Sequence, residues 1–228
     1  MSIKAGASRP ILYLAAAAVT VLLMIMLYAA MGGLGWGAPK KVSGESYRLG
    51  TIVRITVYGD DTEKLNNALD LSMKEIERLE NLLSVNIPSS DISLVNRASG
   101  EYPVKVSEET AVLLERALEW SERTGGAFDP TVGKVVKLWG IGTEGAAIPD
   151  PERLKEAVKL TDFKKTSVAH EGNGTFVRTA KGQRIDLGGI AKGYVTDKVR
   201  ALLIEEGIRS GLIDLGGNIA VFGNSPRP

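Results

Sequence analysis

The stretch "ILYLAAAAVTVLLMIMLYAAM", Ile11 to Met31, runs for 21 residues without a charge. A helix rises about 1.5 Å per residue, so some 20 apolar residues cross the hydrocarbon core of a bilayer. A buried core helix does not fit a run this uniform at an extreme terminus. Lys4 and Arg9 precede it in a short n-region, residues 1–10, and Lys40 and Lys41 follow. The basic n-region favours a cytoplasmic N-terminus, which places everything after the run on the extracytoplasmic side of the cell membrane. The alternative is a cleaved signal peptide, with the small residues Ala30 and Gly32 near the cleavage point, although the run is longer than a usual signal core. The division that follows is a cytoplasmic n-region at 1–10, a transmembrane anchor or signal segment at 11–31, a Gly-rich flexible tether at 32–46 and a folded domain at 47–228.

A chain of 228 residues that is 44% hydrophobic and 24% charged can bury one sizeable core. Its net charge of +1 is too balanced for nucleic acid, and no basic patch interleaved with aromatics occurs. Cysteine is absent, which excludes disulfides, thiolate metal sites, a Cys nucleophile and a lipidated Cys. Any metal must then be held by oxygen or by the single histidine, His170, which reads as a surface residue in the polar loop "VAHEGNGT".

Within the domain, "TIVRITVYG" alternates as a half-buried strand does, and the following segment switches to helical spacing at Leu65, Leu69, Met73, Ile76 and Leu83. Ser107 can cap a second helix with core residues Leu114, Ala117 and Leu118, and Gly125 stands at its left-handed stop. Asp150-Pro151 starts a third, short helix. The run "GTFVRTAKGQRIDLG" predicts a hairpin turning at Lys181-Gly182. A fourth helix, "GIAKGYVTDKVRALLIEEG", ends at Gly207, and "GLIDLGGNIAVFG" is a pair of short strands broken at Gly216-Gly217. Strands and helices without strict alternation predict an α+β fold and not a doubly wound sheet.

"GIGTEG", Gly140 to Gly145, matches G-x-G-x-x-G, but Pro149 and Pro151 follow in a loop where a dinucleotide fingerprint needs a helix. More informative is "IDLGGIAKGYVTDKV", Ile185 to Val199. A strand ending at Leu187 would deliver Asp186 and Gly188-Gly189 to a helix start, where free N–H groups and the helix dipole favour an anion. Two glycines allow close backbone approach, Lys192 adds positive charge, and Asp186 can accept hydrogen bonds. On the residues alone a second reading stands beside it: a tight packing turn, with Asp186 as a cap and Lys192 solvated. In "RTGGAFDPTVGKVVKLWG", Gly125-Gly126 expose backbone again, "FDPT" sets Asp129 and Thr131 at a Pro-fixed turn, and Phe128 can cover an aromatic ring. Alone, that segment is a turn after a helix.

In order along the chain stand "LGT" (Leu49 to Thr51), "SDISLVN" (Ser90 to Asn96), "TGGAFDPTVGKVVKLWG" (Thr124 to Gly140), "DLGGIAKGYVTD" (Asp186 to Asp197) and "IDLGGNIAVFG" (Ile213 to Gly223). Together these five motifs resemble the ApbE family, the FAD:protein FMN transferases, from about Arg48 onward. The resemblance implies an ApbE-like mixed sheet with packed helices. It also implies an enzyme that moves FMN from FAD onto a Thr or Ser hydroxyl of a partner protein with Mg²⁺, releasing AMP. By the same resemblance Ala127, Phe128, Asp129, Asp186 and Lys192 would contact FAD, Leu49 would sit near the flavin, and the Gly189 carbonyl would be a metal ligand. The acceptor would be a subunit of a membrane redox complex. Asn86 stands near a position where many members carry an aromatic residue. Family members continue past "GGNIAVFGNSPRP" into a segment with a His and further metal ligands. The expectation is therefore a C-terminally incomplete member, with its catalytic groups in that further segment and the 228-residue chain itself inactive. The alternative is a membrane-tethered FAD-binding module without catalysis.

Overall fold

The computed structural model describes residues 9–30, 39–141 and 143–224. Residues 41–225 form one unit and the N-terminal helix α1, Arg9–Ala30, belongs to another. The helix has 22 residues. Among the described residues no helix is long and apolar enough to cross a membrane; the side chains of residues 9–12, 15, 16, 29 and 30 lie outside that description. Residues 1–8 of the n-region, residue 31 of the expected anchor and residues 32–38 of the expected tether are also outside the described residues.

The rest of the expected tether is not one. Strand β1 covers Lys40–Arg48 and pairs with β2, Thr51–Gly59, through the turn at Leu49-Gly50. Its polar composition concealed it because it is an edge strand, with no residue fully buried. Cross-strand contacts order it instead: Ser43 Oγ lies 2.9 Å from Thr56 Oγ1, and Arg54 Nε donates to Glu45 Oε2 at 2.9 Å.

Two antiparallel strands complete this sheet, β6 (Ser210–Leu215) and β7 (Asn218–Phe222), in the order β1-β2-β6-β7. Strict alternation puts Val53, Ile55 and Val57 of β2 and Ile213 and Leu215 of β6 on one face, all fully buried. Against that core lie helices α2 (Thr62–Leu83) and α7 (Ala191–Glu205). The α2 stripe is Leu65, Leu69, Ser72, Ile76, Leu79 and Leu83, spaced three and four apart. Asp61 caps its start by accepting from Glu63 N and Lys64 N. Helix α7 stops in a Schellman turn, where Ile208 N donates to Leu203 O and Gly207 N to Ile204 O with Gly207 at φ 73°.

A second, smaller sheet has the order β3-β5-β4, from Val104–Val106, Gly174–Arg178 and Ser167–Glu171. The expected hairpin at Lys181-Gly182 is therefore displaced. Strand β5 pairs back onto β4 through the two-residue turn Gly172-Asn173, a Gly-Asn pair that is itself a hairpin signal. Short helix α3, Asp91–Arg97, and α4, Glu108–Arg123, adjoin this sheet. Ser90 and Ser107 cap them from the positions before their first residues. Helix α5 (Gly133–Trp139) and α6 (Pro151–Val158, capped by Asp150) complete the domain.

His170 is exposed as expected but lies on β4 and not in a loop. Its Nε2 is 2.8 Å from Glu115 Oε1 on α4, and its Nδ1 is 3.1 Å from Thr175 Oγ1, whose hydroxyl donates to Glu108 Oε2 at 3.0 Å. The imidazolium satisfies both contacts, and Glu115 first of all raises its pKa above the ordinary 6.5, with Glu108 adding to it. A folded-state pKa above the unfolded value contributes stability that is complete below about 6.5 and is lost as pH rises through the raised pKa. Urea midpoints should therefore fall between about pH 6 and about pH 8 more steeply for the native protein than for His170→Gln. Equal slopes for the two proteins would remove His170 from the account.

Candidate active site

Helix α4 delivers the first wall of the site. It ends in a Schellman turn, with Gly126 N donating to Ser121 O at 2.8 Å and Gly125 N to Glu122 O at 3.0 Å, the two glycines at φ 87° and 61°. The chain reverses and Thr124 Oγ1 accepts from Phe128 N at 3.1 Å, fixing where the Phe128 ring emerges. Asp129 then closes a turn through the proline: its Oδ1 accepts from Thr131 N (2.8 Å) and Thr131 Oγ1 (2.6 Å), and its Oδ2 from Phe163 N (3.0 Å). Both carboxylate oxygens of Asp129 are therefore engaged in holding the turn. Ala127, exposed, precedes the ring.

The second wall is the segment Arg184 to Gly189. Among the described residues the expected strand is absent: the segment joins no ladder, its one bridge is Arg184 to Val132, and it enters a turn at Gly188. Its backbone groups find partners on both sides. Gly133 N donates to Arg184 O at 2.9 Å and Asp186 N donates to Pro130 O at 2.7 Å. Between them Ile185 N donates to Asn96 Oδ1 at 2.6 Å, and Asn96 Nδ2 donates to Ile185 O at 2.9 Å. Asp186 Oδ1 accepts from Gly188 N at 2.8 Å, and its other oxygen has no protein partner among the described residues. Helix α7 starts two residues after Gly189, with Lys192 in its first turn.

The two walls meet. A Cβ built on Gly189 would lie 3.1 Å from Phe128 Cε2, so the bare backbone is what leaves room beside the ring. Trp120, Phe128, Gly189 and Ile190 line an open cleft of about 240 Å³. Arg123 stacks over the Trp120 ring at 4.7 Å. Trp120, Ile190 and Asn96 are additions that sequence reasoning missed as site residues; Trp120 sits one helical turn before the "TGGAFDPT" motif, the only local hint of it.

Leu49 stands at the turn between β1 and β2. It is the one non-glycine residue at positive φ, 53°, among the described residues, and its N–H donates to Glu80 Oε1 at 2.7 Å. Its turn and the Gly216-Gly217 turn share one end of the main sheet, where Gly216 N donates to Ile52 O. Asn218 in β7 accepts from Thr196 Oγ1 of α7 at 2.9 Å, so the start of α7 reaches the same end. Among the described residues no three Asp, Glu or His side chains converge as a metal cage. The Gly189 carbonyl is a single oxygen donor, and these residues do not make a Mg²⁺ site by themselves.

The model of the ApbE family matches residues 49–228. This chain belongs to the ApbE family. It is 36% identical over 206 residues to an FAD:protein FMN transferase of Treponema pallidum (strain Nichols), covering 88% of this chain and 57% of that protein. To an FAD:protein FMN transferase of Klebsiella pneumoniae (strain 342) it is 33% identical over 175 residues, 77% of this chain and 54% of the relative. Among solved structures, the ApbE protein of Thermotoga maritima superposes with a TM-score of 0.72 at 31% identity, over 82% of this chain and 60% of that one. The flavin transferase ApbE of Vibrio cholerae gives 0.73 at 25%, over 82% and 61%. The chain thus spans a little over half the length of these ApbE relatives. The α+β fold expected from the motifs is the ApbE fold, and the two motifs that form the cleft walls lie within the matched region.

Proposed function

We propose that this ApbE-family chain contributes the flavin-binding cleft of an FAD:protein FMN transferase. The observation that carries the reading is the meeting of two separate motifs, Phe128 of "TGGAFDPT" against Gly189 of "DLGGIAKG". A flat aromatic ligand suits a cleft with Trp120 and Phe128 on its walls and a side-chain-free segment opposite. Asp186 keeps one carboxylate oxygen free to accept from ring N–H groups or hydroxyls. Lys192 and the start of α7 supply positive charge for phosphate oxygens. Ala127 and Phe128 would contact the ligand directly, Asp129 through the turn that it holds, and Leu49 from the sheet end.

In the proposed reaction an acceptor Thr or Ser oxygen forms a bond to the phosphorus that carries FMN. The bond from that phosphorus to the AMP phosphate breaks, AMP leaves, and the hydroxyl proton passes to solvent. This chain's residues bind and orient the two reactants and offset charge on the phosphate oxygens. Mg²⁺ would neutralise further charge on the pyrophosphate, with the Gly189 carbonyl as one ligand among donors that the described residues do not supply. The reading extends to location: residues 11–31 anchor the protein and hold the domain on the extracytoplasmic side, facing an acceptor subunit of a membrane redox complex.

The test is titration of the chain with FAD, followed by flavin fluorescence. Saturable binding is expected, and Asp186→Ala should weaken it about tenfold, the loss of a charge-assisted hydrogen bond, while Asp197→Ala, on the exposed side of α7, leaves it unchanged. Equal curves for the two variants would sink the Asp186 assignment, and absence of any FAD binding would sink the flavin reading.

A further inference from the structure

Among the described residues no sheet strand pairs along the segment that presents Asp186 and Gly189, and the manner of its support identifies a residue outside the cleft. Between Arg184 and Asp186 the backbone groups alternate in direction, as in any extended chain. Those of Arg184 and Asp186 turn toward Pro130 and Gly133. Those of Ile185 turn the other way, where a neighbouring strand would normally lie. Asn96 occupies that place. Its carboxamide has one acceptor and two donors, and it meets the Ile185 N–H with the oxygen at 2.6 Å and the Ile185 carbonyl with the nitrogen at 2.9 Å. The pair satisfies both backbone groups of a fully buried residue and also fixes which end of the amide points where. Ile185 itself is anchored in the core beside Leu187.

We propose that Asn96 is a positioning residue: a one-residue substitute for a β-strand that sets the register of Asp186 to Gly189 against the Phe128 wall. The carboxamide lies 89 residues away in sequence, and it joins the "SDISLVN" motif to the "DLGG" motif through Ile185, which is not one of the cleft-lining residues. Helix α3 is suited to hold it, since Ile92 and Val95 are buried in the core and its N-terminal end is tied twice: Ser90 Oγ accepts from Ser93 N, and Asp91 Oδ2 accepts from Ser107 N and Thr110 Oγ1. Loss of the clamp leaves a buried N–H and C=O without partners, so the segment shifts to recover them. A displacement of about 1 Å at the ligand-facing groups is enough to cost function without unfolding the domain.

Amide hydrogen exchange and FAD affinity, measured on the same proteins, test this. Asn96→Ala is expected to speed exchange at Ile185, Asp186 and Gly188 at least about tenfold, with the amide of Ile213 in β6 unchanged. Asn96→Asp, which keeps the acceptor and loses the donor, should give a smaller increase. Gly133→Ala attacks the same segment from its other edge, because the new Cβ would sit 2.6 Å from Arg184 O, and should reproduce the exchange effect if Asn96→Ala fails to fold. Val95→Ala, on the same helix, is the control for simple loss of stability. FAD affinity should fall about 10- to 100-fold in Asn96→Ala and stay unchanged in Val95→Ala. The affinity arm rests on the flavin reading above; the exchange arm does not. If the native chain binds no FAD the flavin reading fails, and the exchange pattern alone decides the clamp. Unchanged exchange at residues 185–188 in Asn96→Ala, or the same changes in Val95→Ala, overturns the proposal.

Discussion

Gly189→Val is expected to abolish flavin binding while leaving the domain folded. The glycine is exposed and its φ lies outside the left-handed region, so its backbone accepts an L side chain without strain. Space is the obstacle. The first added atom already stands 3.1 Å from Phe128 Cε2, and the two methyl groups of valine extend from it into the cleft beside the ring. A ligand stacked on Phe128 would have to give up that face, losing the burial of an aromatic surface together with its stacking. The expected loss in FAD affinity is at least about 100-fold, or about 2.7 kcal/mol. The melting temperature should stay within about 4 °C of the native value, the shift produced by roughly 1 kcal/mol in a domain of this size. Titration by flavin fluorescence beside a thermal melt reads both. Native affinity in Gly189→Val would show that FAD does not lie against this backbone, and would return "DLGG" to the packing-turn reading.

What could be read from the residues was governed by how local each signal is. The α2 stripe, the Ser107 cap, the Gly125 stop, the Gly207 stop and the Gly216-Gly217 turn each depend on residues within one or two turns of chain, and each stands where the pattern put it. Strand β1 escaped because an edge strand buries little: its order comes from β2, through pairs such as Glu45 with Arg54. The hairpin was displaced because Lys181-Gly182 and Gly172-Asn173 both read as turns, and only the second has strands of matching register on its two sides.

The candidate site divides along the same line. Phe128, Gly189 and Asp186 were visible as motif residues, because an aromatic in a Pro-fixed turn, paired glycines and an acid at a helix start have recognisable chemistry. That Phe128 faces Gly189 is a tertiary fact that neither motif contains. Asp129 shows the opposite difficulty: the "FDPT" turn was legible, but its second carboxylate oxygen closes on Phe163 N, 34 residues on, so the side chain that looked available for a ligand is committed to the scaffold. Asn96 closed the "SDISLVN" motif but offered no chemistry that gave it a role, since an Asn near the end of a short helix is ordinary until its amide is seen to replace a strand.

The position of that scaffold depends on the main sheet, and Ile55→Ala should destabilise the domain more than any change on the sheet's other face. Ile55 lies opposite Ile213 in the β2–β6 register, and both are fully buried in the core formed with α2 and α7. Removing three carbons there forfeits their transfer energy and leaves a cavity that close-packed neighbours cannot fill, about 2–5 kcal/mol. The melting temperature should fall by about 6–15 °C. Ile52, the second residue of the same strand, points to the opposite face and is 54% exposed, so Ile52→Ala should cost less than about 0.5 kcal/mol. A strand pairs with period two, and a slip by one residue would exchange the two faces and with them the two results. Comparable losses in the two variants, measured by urea unfolding, would contradict the register. A large loss confined to Ile52→Ala would reverse the face that α2 and α7 cover.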